Sequence, residues 1–195
     1  MNLVPLVFSS GWASGVNAYL LVLVLGLSDR FGDLEQIPDE LARTDVLVGA
    51  AVLYAIEFVA DKIPYLDSTW DAISTVIRPT VGTAIALLVS GEATSVEQAG
   101  YAALGGGTAL ASHLVKAGSR LAINASPEPF TNITASLAED GVVLAVALLV
   151  IHHPWVALTV TVVLLVLGLA LLVWLMRRIR RGWRRWRDRR ERRTA

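Results

Sequence analysis

Two carboxylates one helical turn apart, Glu57 and Asp61, follow the apolar run VLVGAAVLYAI (46–56). A helix starting near Asp45 carries Glu57 about 18 Å along its axis at 1.5 Å per residue. The i, i+4 spacing puts Asp61 on the same face. An ionised acid at the centre of a bilayer costs at least ~2.5 kcal/mol. The pair must therefore face protein or water, or hold protons. The next segments repeat the pattern. A third helix lines up Asp71, Ser74, Thr75, Arg78 and Gly82 on one stripe, and a fourth lines up His113, Lys116 and Arg120. A fifth lines up Asn132, Ser136, Glu139 and Asp140. Lys62 and Asp67 flank the turn between the second and third helices. In the first segment Ser10, Ser14 and Asn17 share a face, beside the GxxxG pair Gly11 and Gly15.

Polar faces on consecutive short helices predict one interior site, open to the cytoplasmic side. Glu57 and Asp61 would take cations or protons, and Arg78, Lys116 and Arg120 would hold anions. The competing reading is structural: buried polar pairs also glue membrane helices together, and small residues let them approach closely. Three consecutive glycines in GGGTALASH (105–113) mark tight packing, a kink or an unwound segment.

Enzymatic signatures are mostly absent, and a membrane enzyme using the paired acids for acid–base work is the third reading, behind transport and scaffold. There is no HExxH and no GxSxG, and the glycines are not followed by the Gly-Lys-Ser/Thr of a phosphate loop. The chain has no cysteine, which excludes disulfides and thiol chemistry. Three histidines make no metal set, and His152-His153 sits beside Pro154 at a membrane boundary. The expectation is no catalytic residue, no metal and no cofactor. The sequons NAS (124–126) and NIT (132–134) fall on the expected cytoplasmic side and carry no meaning there.

The elements that must position these residues are membrane helices. Of 195 residues 54% are hydrophobic and 17% charged. Six apolar segments approach the roughly 20 residues a bilayer requires: 4–28, 46–61, 72–90, 98–115, 134–152 and 154–176. The fold expected is an all-α polytopic bundle of about six spans (five or seven remain open). AIALLV (84–89) matches AVALLV (145–150), which suggests a two-hairpin repeat entering the membrane twice from the same side, or chance likeness between two apolar helices.

Charge is divided sharply. Residues 1–176 hold 6 Lys/Arg against 15 Asp/Glu, and residues 177–195 hold 11 Arg against 2 acids. The boundary at 176 separates a transmembrane domain from an Arg/Trp-rich cytoplasmic tail. In that tail Arg177, Arg178, Arg180, Arg181, Arg184 and Arg185 surround Ile179, Trp183 and Trp186. This is the pattern of an interfacial amphipathic helix on anionic lipid, and it favours lipid over nucleic acid as the partner. With six spans and the tail inside, the positive-inside rule places both termini in the cytoplasm. The small-residue faces offer a surface for a homo-oligomer.

SGVNAY (14–19), EFVADKIP (57–64), the following Asp67 and IRPTVGT (77–83) resemble a bacterial integral membrane family, the domain of unknown function DUF 4126. The resemblance covers most of residues 8–150 and implies a multi-span fold of unassigned activity. The last helix and the tail look less typical of it. It gives weight to Ser14, Gly15, Asn17, Glu57, Asp61, Lys62, Pro64, Asp67, Arg78, Pro79 and Gly82. The functional expectation is a small transporter or permeability protein of the bacterial inner membrane, for a polar or anionic solute or a lipid headgroup. The alternative is a non-catalytic membrane scaffold.

Overall fold

The structure is a computed structural model. It describes the backbone of residues 3–32, 34–63, 65–124 and 129–194, and their side chains except those of residues 129 and 182–194. Among the described residues six long helices follow one another: α1 (Val4–Gly32), α2 (Thr44–Ala60), α3 (Leu66–Val89), α4 (Ser95–Asn124), α5 (Pro129–His152) and α6 (Pro154–Thr194). A single 3₁₀ turn (Asp39–Ala42) lies between α1 and α2. Local chemistry sets the ends. At the start of α4 the Thr94 hydroxyl accepts the Glu97 N–H while the Glu97 carboxylate accepts the Thr94 N–H at 3.0 Å, a capping box. Those bonds hold the Glu97 carboxyl below its ordinary range. Pro154 opens α6, where its missing N–H costs nothing.

Polarity is inverted relative to a water-soluble protein. Val76, Leu121, Val166 and Leu167 are exposed, while Glu57, Arg78, His113 and Arg120 have no exposure at all. That distribution suits a hydrocarbon surrounding. By length and composition α1, α3, α5 and the Pro154–Arg181 part of α6 can each cross a membrane. α2 is short, at 17 residues, and α4 buries His113, Lys116 and Arg120. The bundle is that of a multi-pass membrane protein.

Several helices start earlier or end later than hydropathy suggests. α3 begins at Leu66 and not at 72, α5 begins at Pro129 and not at 134, and α4 runs on to Asn124. The added turns contain Asp67, Asn124 and Asn132, which are buried against one another. They look polar in sequence because their partners are protein. α6 continues without a break past residue 176, so the expected domain boundary is not a helix boundary. α2–α3 and α4–α5 form successive hairpins that start at the same end, as the repeat expects.

α1 departs most from expectation. Asn17 has φ −149° and ψ 96°, an extended residue between two helical halves. Before it, Gly11 packs on Gly105 and Thr108, Gly15 packs on Ala109 and Ser112, and the Val16 carbonyl accepts from Lys116. This half runs parallel to α4. α2 also runs parallel to α4, since Glu57 meets Lys116 and the Asp61 carbonyl meets Arg120. After the break Gly26 packs on Leu41 and Leu47, near the start of α2, so the second half runs antiparallel to it. The chain doubles back at Asn17.

Val4 and Gly32 therefore lie at the same end of the bundle. At the other end Gly168 and Leu172 of α6 reach Val115 and Gly118 of α4 and lead toward the arginine-rich end. The expected single pass by 4–28 is replaced by two antiparallel halves, followed by five helices that alternate in direction. The described start of the chain and the arginine-rich end lie at opposite ends of the bundle, against the expectation that the two termini share a side. The physical cause is Asn17. Its Oδ1 accepts the Leu20 N–H at 3.0 Å and caps the second half, as an N-cap asparagine does.

A charged network at a helix reversal

The reversal sits inside a cluster of charges. Arg78 Nη2 donates to Glu57 Oε1 at 2.5 Å, and Arg78 Nη1 lies 3.2 Å from Asp71 Oδ1. Lys116 Nζ lies 2.7 Å from Asp61, 3.3 Å from Glu57 and 3.5 Å from Glu139. Arg120 grips both oxygens of Glu139, at 2.6 and 3.3 Å, and lies 3.5 Å from Asp61 Oδ2. Three cations and four carboxylates thus form one connected network built from α2, α3, α4 and α5. All are buried except Glu139, whose side chain is 21% exposed.

α1 contributes backbone and polar side chains. Its first half ends where Arg78 Nη1 donates to the Gly15 carbonyl at 3.3 Å and Lys116 donates to the Val16 carbonyl at 3.1 Å. Cations suit a helix C-terminus, where the carbonyls are unsatisfied and the dipole is negative. The Ser14 hydroxyl donates to the Arg78 carbonyl at 2.9 Å. Asn17 Nδ2 donates to Asp140 Oδ1 at 2.9 Å, beside the N-terminus of the second half. Tyr54 also donates to Asp140, at 3.4 Å.

His113 closes the network on α4. Its Nδ1 lies 2.8 Å from Arg78 Nη1, and its Nε2 lies 3.0 Å from the Thr75 hydroxyl. An arginine can only donate, so Nδ1 accepts. Nε2 then carries the proton toward Thr75, which donates to the Asp71 carbonyl at 2.9 Å. The ring in this arrangement is neutral.

Two expected members sit apart from the ion pairs. Asp67 accepts from Asn124 at 2.9 and 3.0 Å and from the Ser68 N–H at 2.6 Å. Lys62 donates to the Phe58 carbonyl at 2.8 Å and to Ser136 at 3.3 Å, with its ammonium 3.0 Å from the Phe58 ring centroid. Pro64 lies outside the described residues, as do the side chains of Trp183, Arg184, Arg185 and Trp186. Arg177, Arg178, Arg180 and Arg181 are exposed, and the Arg178 guanidinium stacks on Trp174 at 4.9 Å.

Sequence reasoning missed Tyr19, Tyr54, Trp70 and Asn124. Tyr54 and Asn124 carried a signal: each lies on a stripe already identified, three before Glu57 and four after Arg120. Around the network several buried atoms have no hydrogen-bond partner among the described residues: Tyr19 Oη, Glu57 Oε2, Asp61 Oδ1, Trp70 Nε1, Ser74 Oγ, Arg78 Nε and both Asp71 oxygens. Two clefts reach the charges. One of ≈ 250 Å³ passes between Trp12, Val142 and Leu164 to Lys116 and Glu139. One of ≈ 190 Å³ lies between α3 and α4 and reaches Asp71. Among the described residues no group of three or more acids or histidines converges as metal ligands do.

No curated protein and no solved structure matches this chain. A family model does, over residues 4–177, which takes in the whole bundle and the apolar part of α6, well beyond the 8–150 of the resemblance. The chain belongs to the family described as a domain of unknown function, DUF4126.

Proposed function

We propose that this membrane protein moves a small polar solute or cation through its bundle, and that the charged network at the α1 reversal is the site. The observation that carries this reading is the acid surplus. Four carboxylates face three cations in one buried network, and several of its polar atoms have no partner among the described residues. Intramembrane ionisable residues are costly and mark pathways for ions and polar solutes. A broken helix whose ends point at such residues is a recurrent way to build a transport site. The balance of charge favours a cation over the anion expected from Arg78, Lys116 and Arg120. Each of those cations already faces at least two carboxylates, so an anion would enter against four negative groups.

The arginine-rich end is read as cytoplasmic and lipid-bound, in a bacterial inner membrane. Lys62 joins it at that end, while Arg30 and Arg43 at the other end stand among acids. The start of the chain then faces outward. A non-catalytic scaffold is the second reading, and one observation favours it. Lys116 and Arg120 each find four acceptors and are almost dry, as structural locks are. The test is a panel of polar solutes and monovalent cations offered to proteoliposomes, with and without a proton gradient. Uptake above protein-free vesicles supports transport. No uptake of any panel member under either condition supports the scaffold.

A further inference from the structure

The surplus acid can be located. Glu57 accepts from Arg78 and Lys116, Asp61 accepts from Lys116, and Glu139 accepts two bonds from Arg120. Asp71 accepts none. Its Oδ1 lies 3.2 Å from Arg78 Nη1 without hydrogen-bond alignment, and its Oδ2 meets no donor, although the residue is only 3% exposed. Ser74 Oγ, one turn along the same face, is equally unpartnered. Asp71 is also the carboxylate that lines the ≈ 190 Å³ cleft between Ser68, Ala72 and Thr75 of α3 and Ala117 and Leu121 of α4. Leu121 at its rim is 65% exposed.

The charged groups around Asp71 come from each neighbouring helix. Arg78 stands on α3 itself, Asp61 at the C-terminal cap of α2, Lys116 on α4 and Glu139 on α5, with Glu57 sharing Arg78. His113 is neutral in this arrangement and adds no charge. α1 offers Tyr19, packed on Trp70 beside Asp71. With every acid ionised the network holds one negative charge too many. An uncompensated buried charge costs several kcal/mol, on the order of 3–5. One proton removes it, and the carboxylate with no competing donor is the one placed to take it.

We propose that Asp71 is where the network takes up and releases a proton, through the cleft between α3 and α4. The step is simple: an O–H bond forms on a carboxylate oxygen as one breaks in a hydronium ion at the cleft mouth, leaving water, and the reverse returns the proton. This deepens the transport reading by naming the coupling ion, and it rests on that reading for its purpose. It does not rest on it for its test.

Two measurements on the full-length protein, without any solute, decide it. Infrared difference spectra across a pH step should show the C=O stretch of a protonated carboxyl, lost in Asp71→Asn. In the wild type, which needs no variant to fold, dicyclohexylcarbodiimide should attach at Asp71. That labelling should slow as pH rises and ignore sodium at fixed pH. A carboxyl band that persists in Asp71→Asn overturns the proposal, and so does labelling confined to other acids. Protection by sodium at fixed pH replaces the proton with a metal cation and overturns it equally. Band and labelling at Asp71 without solute flux would sustain the proton site while removing the transport reading.

Discussion

Two layers of the same three helices are held together by opposite means. In one, α1, α3 and α4 touch through missing side chains. A Cβ on Gly11 would strike Gly105, one on Gly15 would strike Ala109 and Ser112, and one on Gly82 would strike Ala109 and Gly105. A turn away, the same helices meet through long charged side chains, with Arg78 and Lys116 spanning to α2 and to the α1 reversal. The glycine layer has no freedom, because backbone stands against backbone. The charged layer gives each cation several partners but leaves polar atoms unpaired, both Asp71 oxygens among them. The first fixes the helices, and the second has room for chemistry.

The sharpest way to break this contrast is in the glycine layer. Gly15→Leu should give no folded protein, since overpacking by even a few methylenes costs about 1–3 kcal/mol and here the obstruction is backbone. Gly107→Ala is the control: a Cβ there meets nothing within 4 Å. It should be neutral or stabilising by up to about 1 kcal/mol from helix propensity. Thermal melting in detergent reads both, and equal behaviour of the two would mean that α1 and α4 do not approach as described.

In the charged layer the largest loss should follow Glu57→Gln, which takes from Arg78 the nearer of its two carboxylates and removes a negative charge facing Lys116. A cost of about 3–5 kcal/mol is the scale for removing one partner of a buried pair, visible as a lowered melting temperature. Exchanging the pair, Glu57→Arg with Arg78→Glu, should not rescue it. The first change sets a cation against Lys116 and the second an anion against Asp71. Full rescue would show that Glu57 and Arg78 form an isolated lock and not part of a network.

A smaller effect belongs to the reversal. Asn17→Ala removes a helix cap and one donor to Asp140, a loss of about 1–2 kcal/mol. Asn17→Asp keeps the cap and places a carboxylate against Asp140, so it should melt below Asn17→Ala. If Asn17→Ala melts at the wild-type temperature, the cap contributes nothing to the turn.

Much of the charged layer was legible because charge in an apolar run is conspicuous. The stripes 71-74-78, 113-116-120 and 132-136-139 emerged at helical spacing, and each lies on a buried or network face. The glycine layer was legible in kind, but its partners were not, since a GxxxG pair does not say which helix it meets. The reversal at Asn17 was hidden. Residues 4–28 read as one continuous apolar helix, and a polar residue amid small ones looks like packing. Asp140, which accepts from Asn17, and Lys116, which donates to the Val16 carbonyl, lie about a hundred positions away. Only tertiary contact makes the second half turn back.

The central claim is that the charged layer works and does not merely hold. The most direct measurement compares solute flux and thermal melting of Asp71→Asn with the wild type, in the same proteoliposome and detergent preparations. Asparagine copies the protonated acid in shape and charge. The account predicts a melting temperature near that of the wild type and loss of proton-driven flux. Flux at the wild-type rate, with the fold intact, would contradict it.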